Sequence, residues 1–277
     1  MRNTRRAAIV AAITAALATS PAYAASPPVT GQTARVAAKP TVVLVHGAWA
    51  DASSFALVTA RLQRDGYTVL NAPNPLRGLA ADAASVAAFV DQATTGAVVL
   101  VGHSYGGAVI TNAARRASRV TALVYVDAFA PDAGETVVQL AAAKPGSALA
   151  APAETVFDAV QDPAMPAGDV DLYVKRAVFP QAFAAHLPAP AAAVLAASEA
   201  PIAAAALQEP SGAPAWKTLP SWFVIGTDDQ VIPAAEQQVM AGRAHGRTVI
   251  VKADHLSMLE QPGAVAQTIE RAAGSVR

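Results

Sequence analysis

Ala97-Val98-Val99-Leu100-Val101-Gly102-His103-Ser104-Tyr105-Gly106-Gly107-Ala108-Val109-Ile110 changes character halfway along. Up to Val101 it is a continuous apolar run rich in β-branched residues, as in a short strand buried on both faces. After Gly107 a helix is expected, to about Arg116. Between them stands Gly102-His103-Ser104-Tyr105-Gly106, a G-x-S-x-G turn. A sharp strand-to-helix turn forces its serine into strained backbone geometry, and flanking glycines remove the Cβ atoms that would clash as the chain doubles back. The hydroxyl is then presented above the carboxyl edge of a sheet, at a helix N-terminus whose dipole favours negative charge. A plain tight turn or a phosphate loop would use similar residues. The chain has no G-x-x-x-x-G-K-[ST] and no G-x-G-x-x-G, so nucleotide readings lose support. Ser104 is the candidate nucleophile.

Working outward, strands and helices alternate. Thr41 to Val45 reads as a buried strand stopping at His46-Gly47, followed by a helix from about Ser53 to Arg64. Tyr67 to Leu70 reads as the next strand and Leu79 to Thr94 as a helix. The strand Val120 to Val126 follows the nucleophile turn. After Phe129 the alternation breaks, and 130–219 holds eleven of the twenty prolines among alanine-rich helical pieces. Alternation resumes with a strand at Trp222 to Ile225, a helix from about Ala234 to Arg243, the strand Thr248 to Val251, and a helix from Pro262 to about Ala273. This order implies an α/β fold with a mostly parallel sheet flanked by helices. The core comprises 40–129 and 220–277, interrupted by a helical cap insertion at 130–219.

The N-terminus reads as an address. Arg2, Arg5 and Arg6 precede the apolar run Ala7 to Leu17, and Ala22-Tyr23-Ala24 supplies a small-x-small cleavage signal. Residues 1–24 are expected to be a signal peptide cleaved after Ala24, its arginine pair resembling a twin-arginine signal. Residues 25–39 form a flexible lead-in. The apolar run is shorter than the roughly 20 residues a membrane span needs, so a secreted or periplasmic protein free of the membrane in its mature form is expected. Loss of the three arginines leaves 17 basic against 20 acidic residues, and no basic cluster offers a nucleic-acid footprint. With 53% hydrophobic and 14% charged residues the chain can bury a large core. The absence of cysteine excludes disulfide scaffolds, thiolate metal sites and cysteine nucleophiles.

A serine nucleophile needs a base, and the base an orienting acid, in the chain order Ser, acid, His for this architecture. Three histidines follow Ser104. His186 lies in the insertion and His245 reads as a helix C-terminal cap. His255 follows the last core strand, at the carboxyl edge where catalytic groups gather, and is the candidate base. The acid is sought in Gly226-Thr227-Asp228-Asp229-Gln230-Val231-Ile232-Pro233. Asp229 leads there, with Asp228 and the strand-end Asp127 as rivals. Asp254, next to His255, is expected to face away. The oxyanion hole calls for backbone N–H groups: Tyr105, after the nucleophile, and Ala48, in the loop after the first strand. His46 and His103 read as structural. Trp49 is a candidate wall of the substrate pocket, with a core position as the alternative. No H-E-x-x-H or similarly spaced ligand set supports a metal, and no cofactor is expected.

Four motifs in order carry a family resemblance: Val45-His46-Gly47-Ala48-Trp49-Ala50-Asp51-Ala52-Ser53-Ser54-Phe55, Val101 to Ile110, Val126-Asp127-Ala128-Phe129-Ala130-Pro131-Asp132-Ala133-Gly134-Glu135, and Gly226 to Pro233. The chain resembles the α/β-hydrolase superfamily over essentially all of 40–275. Within it, it is similar to bacterial esterases resembling pyrethroid hydrolases and to plant methylesterases and hydroxynitrile lyases. The resemblance implies Asp229 as the acid, His255 as the base and a helical cap after the strand ending near Asp127. The chain departs at Asp127, where a small apolar residue is more usual. It also lacks sequence for two leading antiparallel strands, which implies a shortened sheet.

The expectation is therefore a serine carboxylesterase acting on small to medium hydrophobic esters, with a small-molecule ester as substrate, no nucleic-acid partner, and the oligomeric state left open by the sequence. A lyase on the same residues is the first alternative. Resembling lyases carry a lysine directly after the catalytic histidine, and here that residue is Leu256. A cofactor-free perhydrolase activity and a non-catalytic ligand-binding module are the others.

Overall fold

The computed structural model describes residues 38–275. The expected signal peptide and all but the end of the lead-in lie outside the described residues. Nine strands form among them: β1 (Thr41–Val45), β2 (Val69–Asn71), β3 (Val98–Ser104), β4 (Val120–Ala128), β5 (Phe157–Val160), β6 (Asp171–Val174), β7 (Ile202–Ala203), β8 (Ser221–Gly226) and β9 (Arg247–Val251). Six make one sheet in the order β2-β1-β3-β4-β8-β9, and every neighbouring pair is parallel. No antiparallel strand joins this sheet among the described residues.

Position in the sheet explains the strand compositions. β3 lies between two neighbours, is Val- and Leu-rich, and is buried along its whole length. Each such side chain contributes about 1.5–3 kcal/mol on burial. β9 is an edge strand, and its Arg247, Thr248 and Ile250 are exposed. The amphipathic helix Pro262–Gly274 packs on β8 and β4 and begins with proline at its first position, where a missing N–H costs nothing. Helices Ala56–Arg64, Leu79–Ala93, Tyr105–Ala113 and Ala234–Arg243 complete the flanking layers.

The differences from the sequence reading lie at boundaries and in the insertion. β3 runs on through Ser104 itself, and β4 continues to Ala128. The helix after the nucleophile ends at Ala113, and a short helix, Ser257–Glu260, adds to those expected. Between β4 and β8 the chain forms helices Val137–Ala142, Phe179–Phe183, Ala189–Ala197 and Ala204–Gln208, and also a small antiparallel sheet in the order β5-β6-β7. Those strands are at most four residues long, and β5 and β6 are separated by the proline-rich 161–170, too little alternation for a strand signal.

A wholly parallel sheet brings the carboxyl ends of its strands to one edge. The candidate nucleophile, acid, base and oxyanion donors each lie at, or just beyond, one of those ends.

Candidate active site

At the end of β3 the backbone turns sharply into the helix Tyr105–Ala113. Ser104 has φ 53° and ψ −125°, a conformation that costs a non-glycine residue roughly 1–3 kcal/mol. Two glycines make the turn possible. A Cβ on Gly102 would stand 2.5 Å from the Gly106 carbonyl oxygen, and one on Gly106 would stand 2.5 Å from the Val45 carbonyl oxygen. The turn is thus wedged against the end of β1.

His255, in the loop after β9, faces this serine. Its Nε2 lies 2.9 Å from Ser104 Oγ, and its Nδ1 lies 2.9 Å from Asp229 Oδ2. The imidazole is 0% and Ser104 2% exposed. Burial pulls the His255 pKa down to about 3, opposed by the charge of Asp254, so the resting ring is neutral. Nδ1–H donates to the carboxylate and Nε2 is left to accept from the serine hydroxyl.

Asp229 is pushed well above the ordinary carboxylate range by burial. Its hydrogen bonds act the other way. Oδ1 accepts from Val231 N–H at 2.8 Å and Ile232 N–H at 2.9 Å, and Oδ2 accepts from Gln237 Nε2–H at 2.8 Å as well as from the imidazole. Every hydrogen-bond partner of the carboxylate is a donor, so the anion is the form that satisfies them all. Gln237, buried on the helix Ala234–Arg243, escapes the sequence reading, because nothing in sequence distinguishes a glutamine on a helix's inner face from one on its outer face.

The other acidic candidates face elsewhere. Asp228 is exposed, with Oδ2 3.5 Å from His186 Nε2. Asp254 accepts from Leu256 N–H and His186 N–H, both at 3.0 Å. Asp127 is buried and takes the Gly226 and Ser257 N–H groups, not the imidazole. His103, held neutral by burial, donates from Nε2 to the His255 carbonyl at 2.9 Å. His46 is likewise lowered by burial and has Nδ1 2.9 Å from the Gly47 carbonyl.

Tyr105 is the first residue of its helix, so its N–H lies in the turn that has no carbonyl partner within the helix. Its phenol donates to buried Asp82 at 2.8 Å, anchoring the residue. Ala48 sits buried in the loop after β1. The next residue, Trp49, has φ 54°. Its backbone N–H donates to the Ala200 carbonyl at 3.0 Å and its indole N–H to the Leu172 carbonyl at 2.8 Å, so the β1 loop is tied to the segment between β4 and β8.

A small cavity adjoins these groups, lined in part by Ala48, Trp49, Phe179, Phe183, Leu195 and Leu256. Trp49 is buried and also lines this cavity. Phe183 stands edge-on to both Trp49 and the His255 ring, at 5.7 Å and 5.4 Å between centroids. The phenylalanines are invisible in sequence because they reach the site from 75 or more positions beyond Ser104.

His186, Asp254 and Glu260 place one donor atom each within 4.8 Å of one another, a set able to hold a metal ion that no local spacing betrays. They are already joined: His186 Nδ1 lies 2.9 Å from Glu260 Oε2, and Asp254 N–H donates to Glu260 Oε1 at 2.9 Å.

The model of the alpha/beta hydrolase family matches residues 42–268, and the chain belongs to that family. A carbendazim hydrolyzing esterase of Nocardioides sp. (strain SG-4G) is 36% identical over 110 residues, 35% of this chain and 46% of that protein, so the match spans less than half of that relative. Solved structures share the fold, two of them as follows. A pyrethroid hydrolase from Sphingobium faniae JZ-2 superposes with a TM-score of 0.66 at 20% identity, covering 85% of this chain and 98% of that one. Polyneuridine aldehyde esterase superposes with a TM-score of 0.69 at 15% identity, covering 84% and 99%. Among the described residues no helix is long and apolar enough to cross a membrane.

Proposed function

We propose that this hydrolase is a serine carboxylesterase that cleaves small to medium hydrophobic carboxylic esters through an acyl-enzyme. The observation that carries the reading is the continuous chain Ser104 Oγ, His255, Asp229, closed by two contacts of 2.9 Å. Esterase-named relatives support it.

In this reading Ser104 Oγ attacks the ester carbonyl carbon while His255 Nε2 takes its proton. Asp229 holds the Nδ1–H tautomer and stabilises the imidazolium that forms. The carbonyl oxygen becomes an oxyanion and is met by the N–H groups of Ala48 and Tyr105. His255 returns the proton to the leaving alcohol, leaving Ser104 acylated. It then deprotonates water, whose attack releases the acid and regenerates Ser104. No step calls on a metal or cofactor. The lining of Trp49, Phe179, Phe183 and Leu195 favours an apolar group on the ester. Residues 130–219 serve as the cap over the core formed by 40–129 and 220–277, and we infer export directed by residues 1–24.

The test is a panel of p-nitrophenyl esters of increasing acyl length, with aromatic methyl esters and mandelonitrile beside them. The wild-type protein should turn over the shorter hydrophobic esters and react with a fluorophosphonate at Ser104, and Ser104→Ala should do neither. Cyanide release from mandelonitrile without ester turnover would replace this reading with the lyase one. Failure of the probe to label folded protein would leave only a ligand-binding role.

A further inference from the structure

We propose that Asp127 is a positioning residue for the esterase reaction: its buried carboxylate ties the loop that carries the acid to the loop that carries the base, fixing the register in which Asp229, His255 and Ser104 meet. This rests on the triad reading above.

The geometry starts where the sheet opens. β4 and β8 are paired as far as Val126 and Val224, and their ladder ends there. Asp127 is the next residue on β4. Its side chain enters the gap, and Oδ1 accepts the Gly226 N–H at 2.8 Å. Gly226 ends β8, three residues before Asp229. The other oxygen, Oδ2, accepts the Ser257 N–H at 3.0 Å. Ser257 lies two residues after His255 and opens the helix Ser257–Glu260. One carboxylate therefore bridges the two loops and holds them in a common register.

Three features set this apart from an ordinary buried hydrogen bond. Asp127 is 0% exposed, yet it has φ 43°, a left-handed conformation that aims its carboxylate past the end of the ladder. The clamped backbone has no slack, because a Cβ on Gly226 would lie 2.6 Å from the Asp254 carbonyl oxygen. And the task needs an acceptor oxygen for each N–H, since an asparagine would turn its amide N–H₂ toward one of the two donors. The carboxyl makes no hydrogen bond to the imidazole, so it acts through the loops and does not substitute for Asp229.

The experiment uses Asp127→Asn, which keeps the shape and severs one tie. Its partner, Asp127→Gly, severs both while suiting the left-handed backbone. The primary readout is the rate at which a fluorophosphonate labels Ser104, which needs no knowledge of the ester. It is measured at least about 15 °C below each variant's melting temperature, together with kcat and KM on the best ester of the panel. A displacement of the base by a fraction of an ångström to one ångström should cost up to about 100-fold. We expect labelling and kcat to fall roughly 10- to 100-fold in Asp127→Asn and further in Asp127→Gly, with KM within about twofold, since the pocket wall is untouched. In an Asp229→Asn background the Asp127→Asn loss should largely vanish, because the register it guards no longer matters. Labelling at the wild-type rate, or losses that multiply in the double variant, would overturn the proposal. So would failure of both variants to melt cooperatively, which would make Asp127 a requirement of folding alone. A wild-type protein inert to the probe would instead fail the esterase reading.

Discussion

Replacing Asp229 by asparagine tests the choice of acid, and the structure sets the size of the effect. Oδ1 is committed to the Val231 and Ile232 N–H groups, so the amide oxygen of the introduced side chain takes that place. The amide nitrogen then occupies the Oδ2 position, facing two donors, Gln237 Nε2–H and His255 Nδ1–H. Gln237 cannot reverse its amide freely, because Nε2 also donates to the Ile232 carbonyl at 2.8 Å. The imidazole can relieve the conflict only by moving its proton to Nε2, which leaves Ser104 with no base. The wrong tautomer lowers kcat by about 10⁴-fold where it has been isolated, and we expect a loss of about 10³–10⁴-fold, or about 4–5.5 kcal/mol of barrier. Initial rates on a p-nitrophenyl ester measure it, with circular dichroism confirming the fold. Asp228→Asn should stay near wild type, because that side chain is exposed and its closest imidazole is His186. Retention of kcat within tenfold in folded Asp229→Asn would refute the assignment of the acid.

Three further outcomes follow from burial and packing. The acid limb of kcat/KM against pH should have its midpoint below 6.5, because burial lowers His255 toward about 3 and activity is lost only as pH falls through the folded value. The same depression should withdraw stability as pH drops below about 6.5, where the unfolded imidazole binds the proton that the folded one refuses; a limb at or above 6.5 would show that burial does not govern the base. Gly106→Ala should melt several degrees lower, since its Cβ would lie 2.5 Å from the Val45 carbonyl oxygen and overpacking against backbone costs about 1–3 kcal/mol. It should also lose kcat as the Tyr105 N–H shifts, and unchanged melting and turnover would mean that the turn is not wedged against β1.

The sheet is legible because burial on both faces writes itself into composition. Val98 to Val101 and Val120 to Val126 carry almost nothing but apolar residues, and the G-x-S-x-G turn marks where one such strand must stop. The small sheet β5-β6-β7 is not legible. Phe157 to Val160 and Asp171 to Val174 pair across a segment broken by Pro163 and Pro166, and such short runs derive their strand character from the partner rather than from themselves. Ser104, Asp229 and His255 can be nominated from their places after strands. Gln237, Phe179 and Phe183 cannot, since only the folded chain says which helical face turns toward the imidazole.

The harder distinction is among Asp127, Asp228 and Asp229, whose side chains take different partners, and the difference shows what strand-end position does and does not encode. The contiguous strands β1, β3, β4, β8 and β9 each deliver one group to the same edge: Ala48, Ser104, Asp127, Asp229 and His255. Sequence position assigns a residue to that edge but not a direction to its side chain. For Asp229 the direction comes from the turn after β8, where the Val231 and Ile232 N–H groups capture one oxygen and leave the other for the imidazole. For Asp127 it comes from the end of the β4–β8 ladder, which leaves the Gly226 N–H in need of an acceptor. Two carboxylates at neighbouring strand ends are thus turned to different partners by backbone donors. Which N–H groups remain unpaired after the sheet has formed is the information that residue order alone does not hold.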